Sequence, residues 1–196
     1  MKNIISKINM KYLFVVVPLV LIILLICVSL ISGTREDKKN GEKQKIEDVT
    51  YFTKDNRISY TFKGTFKKQD VGEYDLYVKD DDRQLIMGVF TYDLNNYEEN
   101  TAIDVLNKQI EYFLKTRNDM VNVKQIETKD YDDKVISKIE YSGKTTDSSD
   151  CIYVFSVTEF KSNPGYIIYS TNVIIKKHYN DYIKEINNVL ESIKLN

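Results

Sequence analysis

Residues 12–31, YLFVVVPLVLIILLICVSLI, carry no charge and almost no polar group. At about 1.5 Å of helical rise per residue, a helix of this length matches a bilayer core of ~30 Å. A cleaved signal peptide has a shorter apolar region, roughly 7–15 residues, followed by a small-x-small site. Here Ile and Leu stand at the exit, in Ser29-Leu30-Ile31-Ser32-Gly33, where small residues are wanted. Cys27 does not make a lipobox: Ile26 precedes it in place of a small residue, and it lies deep inside the apolar run. Residues 12–32 are therefore expected to form an uncleaved transmembrane signal anchor behind a basic leader, residues 1–11, with Lys2, Lys7 and Lys11. Pro18 sits near the start of the run, where proline is tolerated in spanning helices.

Lysines and an arginine also follow the run (Arg35, Lys38, Lys39, Lys43, Lys45), so the positive-inside count is not one-sided. The short basic leader directly against the apolar run favours an N-terminus inside and a domain outside. Residues 33–45, GTREDKKNGEKQK, contain nothing to bury and read as a charged flexible tether. Residues 46–196 have the size of one domain with a core of its own.

Three of the 28 bases fall in the first 32 residues, which leaves 25 bases against 29 acids, a net charge of −4 for the remainder. No basic block stands out there, so nucleic acid is not an expected partner. Cys151 is the one cysteine after the apolar run, and the domain has no internal disulfide to rely on.

Ile58, Tyr60 and Phe62 alternate with polar residues, as do Leu76 and Val78 beyond Tyr74, and both patterns predict half-buried strands. Residues 85–92, LIMGVFTY, are apolar on both faces and predict a covered strand. Ile103, Leu106, Ile110 and Phe113 recur at helical spacing, behind Asn100 or Thr101 as a cap and with Asp104 in the first turn. Strands are then expected at 122–128 (a weak pattern), 134–142, 151–160 and 165–175, with the turn residues 161–165 joining the last two. A second amphipathic helix over about 177–194 presents Tyr182, Ile186, Val189, Leu190 and Ile193. The order β-β-β-α-β-β-β-β-α with short connections implies an α+β domain, an α/β/α sandwich around one antiparallel sheet.

This element order resembles the PsbP/Mog1-like fold found in small exported or lipid-anchored proteins of Gram-positive bacteria. The resemblance spans roughly residues 58–195. It rests on Phe66-Lys67-Lys68 before an acidic turn, on the helix of residues 101–115 after an acidic loop, and on the ending from Tyr182 through Ile186 to Ser192-Ile193-Lys194. Exported members often carry a Trp where Phe66 stands, and a lipobox cysteine; this chain has neither. The resemblance implies a binding or assembly factor and carries over no catalytic residue.

Little in the residues themselves suggests chemistry. His178 is the only histidine, beside the start of the last helix, and reads as a surface residue. Cys151 opens a central strand and reads as a buried structural cysteine. One His and one Cys do not make a zinc site. The acidic turns Asp80-Asp81-Asp82, Asp130-Tyr131-Asp132-Asp133 and Asp147-Ser148-Ser149-Asp150 lack calcium-loop spacing. The strand tyrosines Tyr77, Tyr153, Tyr166 and Tyr169 include core residues, and exposed tyrosines would suit a protein interface. No catalytic, cofactor-binding or metal-ligating residue is assigned, and no cofactor is expected. The reading is a non-catalytic, membrane-tethered binding or scaffolding module on the extracytoplasmic side of the bacterial envelope. Its partners would be the bilayer, through residues 12–32, and another envelope protein. The alternatives are a membrane-face enzyme working through carboxylates and a tethered domain facing the cytosol.

Overall fold

The computed structural model describes residues 46–117 and 119–196. The expected leader, anchor and tether (residues 1–45), with Cys27 and Pro18, lie outside the described residues. Among the described residues no helix is long and apolar enough to cross a membrane.

The domain is α+β. Its strands are β1 (Asp48–Phe52), β2 (Ile58–Lys63), β3 (Lys67–Gln69), β4 (Leu76–Asp80), β5 (Leu85–Asp93), β6 (Val121–Asp130), β7 (Lys134–Lys144), β8 (Asp150–Phe160), β9 (Tyr166–Ile175) and β10 (Lys194–Leu195). Helix α1 (Ala102–Lys115) lies between β5 and β6, and helix α2 (Tyr179–Glu191) between β9 and β10.

Seven strands form one antiparallel sheet in the order β3-β4-β5-β9-β8-β7-β6. The central strands are apolar on both faces because both faces are covered. On β8, Cys151, Tyr153, Phe155 and Val157 join one core cluster with Val105, Leu106, Ile110 and Phe113 of α1. The alternate residues Ile152, Val154 and Phe160 join the other, with Ile186, Val189 and Leu190 of α2 and with Ile193. Each such aliphatic side chain contributes about 1.5–3 kcal/mol when fully buried. The β8–β9 hairpin closes at Gly165, whose φ of +87° is a left-handed conformation that glycine adopts without strain.

The expectation of a single sheet is corrected. A second, three-stranded sheet, β1-β2-β10, holds the strand beginning at Ile58. Ile58, Tyr60 and Phe62 are almost fully buried because this strand packs its apolar face over the main sheet, beside α2, rather than extending that sheet. Strands β1, β3 and β10 were not expected; the last two are only three and two residues long.

Helix α1 starts where its cap chemistry places it. The Thr101 hydroxyl accepts from Asp104 N–H at 3.1 Å, and the Asp104 carboxylate accepts from Thr101 N–H at 3.0 Å, a capping box. Helix α2 is shorter than its apolar stripe. The Ser192 hydroxyl donates to Val189 O at 2.7 Å and accepts from Thr61 N–H at 2.9 Å. Lys194 and Leu195 then pair with β2, which turns the end of the stripe into a strand.

Candidate interaction surface

Among the described residues, four strands stand at sheet edges. Three are short: β1 has five residues, β3 three and β10 two. The fourth, β6, has ten, and every one of them is exposed. Edge strands present unpaired N–H and C=O groups, and short length is one way to blunt them. Strand β6 lacks that protection.

The ends of the α1–β6 connection are anchored on β7 and β8. Arg117 donates to Lys144 O at 2.8 Å and to the Tyr153 hydroxyl. Lys144 N–H donates to the Asp119 carboxylate at 2.7 Å. From Val121 the strand pairs with β7, but its register shifts twice, between Asn122 and Lys124 and between Lys124 and Glu127. Val123 lies within the first shift and Ile126 within the second. Bulges of this kind re-aim side chains. Val121 is 61% exposed, Val123 45% and Ile126 38%, and they are half of the exposed large hydrophobics among the described residues.

The charges along β6 are paired within the domain, on the side of α2. Lys124 meets the buried Glu140 at 2.9 Å and the Tyr179 hydroxyl. Burial alone would lower the Lys124 ammonium, but these two bonds outweigh it and raise its pKa to about 12. Glu127 meets Lys138 at 3.3 Å, and Lys129 meets Glu191 at 3.4 Å. Tyr131 donates to Glu191 at 2.8 Å, and burial together with that bond pushes the phenol up to about 12. This network ties β6 to helix α2, while Val121, Val123 and Ile126 stay exposed along the edge.

Of the residues singled out in the sequence, Asp130 ends β6 and Tyr131 joins its network, while the others stand apart from this edge. The thiol of Cys151 is buried on β8, 3.5 Å from Gly143 O, and burial pushes it up to about 11. The His178 ring packs 5.5 Å from that of Tyr182 at the start of α2. In the acidic turns, Asp80 binds Arg83 at 2.6 Å, Asp81 binds Lys79 at 2.6 Å, Asp130 binds Lys161 at 2.6 Å, and Asp147 accepts from Thr145 and Ser149. Among the described residues no group of three His, Cys, Asp or Glu is placed to hold a metal. Tyr77, Tyr153, Tyr166 and Tyr169 are all buried, whereas Tyr97 is exposed against Tyr92. An open groove of about 380 Å³ beside Tyr97 is lined by Glu98, Glu99, Asp104 and Glu111. Asp104 there is committed to the helix cap, Glu99 lies 3.8 Å from Lys108, and Glu111, lowered by its bond to Lys115, is paired at 2.6 Å.

A seven-stranded antiparallel sheet, with α1 on one face and α2 on the other, matches solved structures over most of the chain. The fold is PsbP/Mog1-like. Cyanobacterial PsbP (CyanoP) from Synechocystis matches with a TM-score of 0.56 at 16% identity, over 81% of this chain and 98% of that one. The Ran-binding protein Mog1p of Saccharomyces cerevisiae matches with a TM-score of 0.54 at 8% identity, over 77% of this chain and 96% of that one. At these identities the likeness concerns the PsbP/Mog1-like fold alone. No protein-family profile matches the chain, and no curated protein does.

Proposed function

We propose that this chain is a membrane-tethered, extracytoplasmic binding module that works without catalysis and meets a protein partner in the envelope through the β6 edge. In this reading residues 12–32 form a single transmembrane helix ahead of the layered domain, and residues 33–45 set its reach from the bilayer. The observation that carries the reading is the exposed ten-residue edge with Val121, Val123 and Ile126 turned to solvent. Exposed apolar groups gathered on one element, rather than scattered singly, mark interaction surfaces. The tether adds local concentration at the membrane, so modest contacts suffice.

The test is crosslinking in native membranes. The full chain is expected to capture a defined set of proteins, and Val123→Lys with Ile126→Lys is expected to lose them while the domain melts as before. Capture that is unchanged by both substitutions would move the binding surface away from β6.

A further inference from the structure

We propose that the β6 edge pairs with the β6 edge of a second copy of this chain, antiparallel about a two-fold axis at Thr128. The inference rests on the reading of β6 as a protein contact and names its occupant. Strand addition needs a regular stretch, because a bulge interrupts the row of outward N–H and C=O groups. On β6 that stretch is Glu127–Asp130, where four consecutive residues face four consecutive residues of β7, from Lys138 to Val135.

When identical antiparallel strands pair about a two-fold axis, the position of the axis decides which charges stand opposite one another. An axis on Glu127 sets that carboxylate against its own copy. An axis on Lys129 does the same to the ammonium. An axis on Asp130 sets that carboxylate against its own copy, and an axis between two residues would oppose side chains from opposite faces of the sheet, which antiparallel pairing does not allow. An axis on Thr128 sets Glu127 against Lys129 of the other copy, twice, with Thr128 facing Thr128. The faces agree as well. Glu127 and Lys129 both lie on the α2 side, as their contacts to Lys138 and Glu191 establish, whereas the neighbour between them, Thr128, bonds Ser137 at 2.8 Å. Opposite charges therefore meet on the same side of the joined sheet. Ile126, within the second register shift, falls opposite Asp130 of the other copy and diagonally beside its Thr128. The two seven-stranded sheets then run on as one.

The experiment uses the full chain, in native membranes or detergent, with Cys27→Ser so that buried Cys151 is the one native thiol. Opposed residues in an antiparallel pair have Cα atoms about 4.5–5.5 Å apart, within disulfide reach. Thr128→Cys is expected to give a disulfide-linked dimer under mild oxidation, and Val123→Cys is not. Adding Glu127→Lys to Thr128→Cys is expected to lower the dimer yield about tenfold, and adding Lys129→Glu to that chain to restore it. Melting curves check that each variant is folded. The inference is overturned if Thr128→Cys dimerises no more than Val123→Cys, or if the charge swap fails to restore the dimer. Should Thr128→Cys instead crosslink to a different protein, the second copy is excluded while the β6 contact stands. Should it capture nothing, both fall.

Discussion

Arg83 and Glu185, 102 residues apart, form an ion pair that ties the β4–β5 turn to helix α2. The same guanidinium bonds the Asp80 carboxylate and Thr65 Oγ1, each at 2.6 Å, and lies over the rings of Phe66 and Tyr182. Asp80 is 1% exposed. Arg83→Ala leaves that carboxylate buried without its cation and is expected to cost about 3 kcal/mol. Glu185→Gln keeps the Arg83–Asp80 pair and is expected to cost much less. Denaturant unfolding of the two variants separates the effects.

Asp80 also sets an acid limit. Burial by itself would raise its pKa, but the bonds from Thr65 and Arg83 outweigh burial and hold it below the ordinary value. A carboxylate lowered in the folded state stabilises fully above its unfolded pKa, and that contribution is lost as pH falls through the lowered value. Thermal melts should therefore show Asp80→Asn clearly less stable than the native chain above about pH 4, with the gap closing as the pH drops further.

Gly88 on β5 is held small by Tyr74. A Cβ there would collide with Cε1 of the Tyr74 ring, which packs between Tyr77 and Phe90. Gly88→Ala is expected to destabilise the domain by about 1–3 kcal/mol. Pairing it with Tyr74→Leu should recover part of that loss in chemical denaturation.

Much of this fold is legible in the residues, because two-sided apolar strands such as 151–160 and the α1 stripe obey simple periodicities. The last helix is legible too, but not its end, since Ser192 is claimed by Thr61 from across the chain. Strand β6 was read only as a weak pattern, and the structure gives the reason. Its apolar residues break step between Val123, in the first register shift, and Ile126, in the second, so a strict alternation cannot find them. The placing of Ile58–Lys63 in a second sheet is likewise invisible, because a half-buried strand has the same pattern whichever sheet it joins. The proposed contact surface leaves no mark either, because exposed apolar residues on an edge have no signature in sequence order alone.

Membrane topology has its own test. Protease added to intact cells or protoplasts is expected to remove the domain near Lys45, because the basic leader before residue 12 favours an inside N-terminus. Digestion that requires the membrane to be opened would place the domain in the cytosol.

The most direct measurement of the central claim, binding at β6 without catalysis, is rescue of a deletion strain by variants of the full chain. His178→Ala and Cys151→Ser are expected to rescue fully, and Val123→Lys with Ile126→Lys to fail, all at native abundance and with unchanged melting. Full rescue by the β6 variant, together with loss of rescue in folded His178→Ala, would contradict the account and point to a catalytic site at the start of α2.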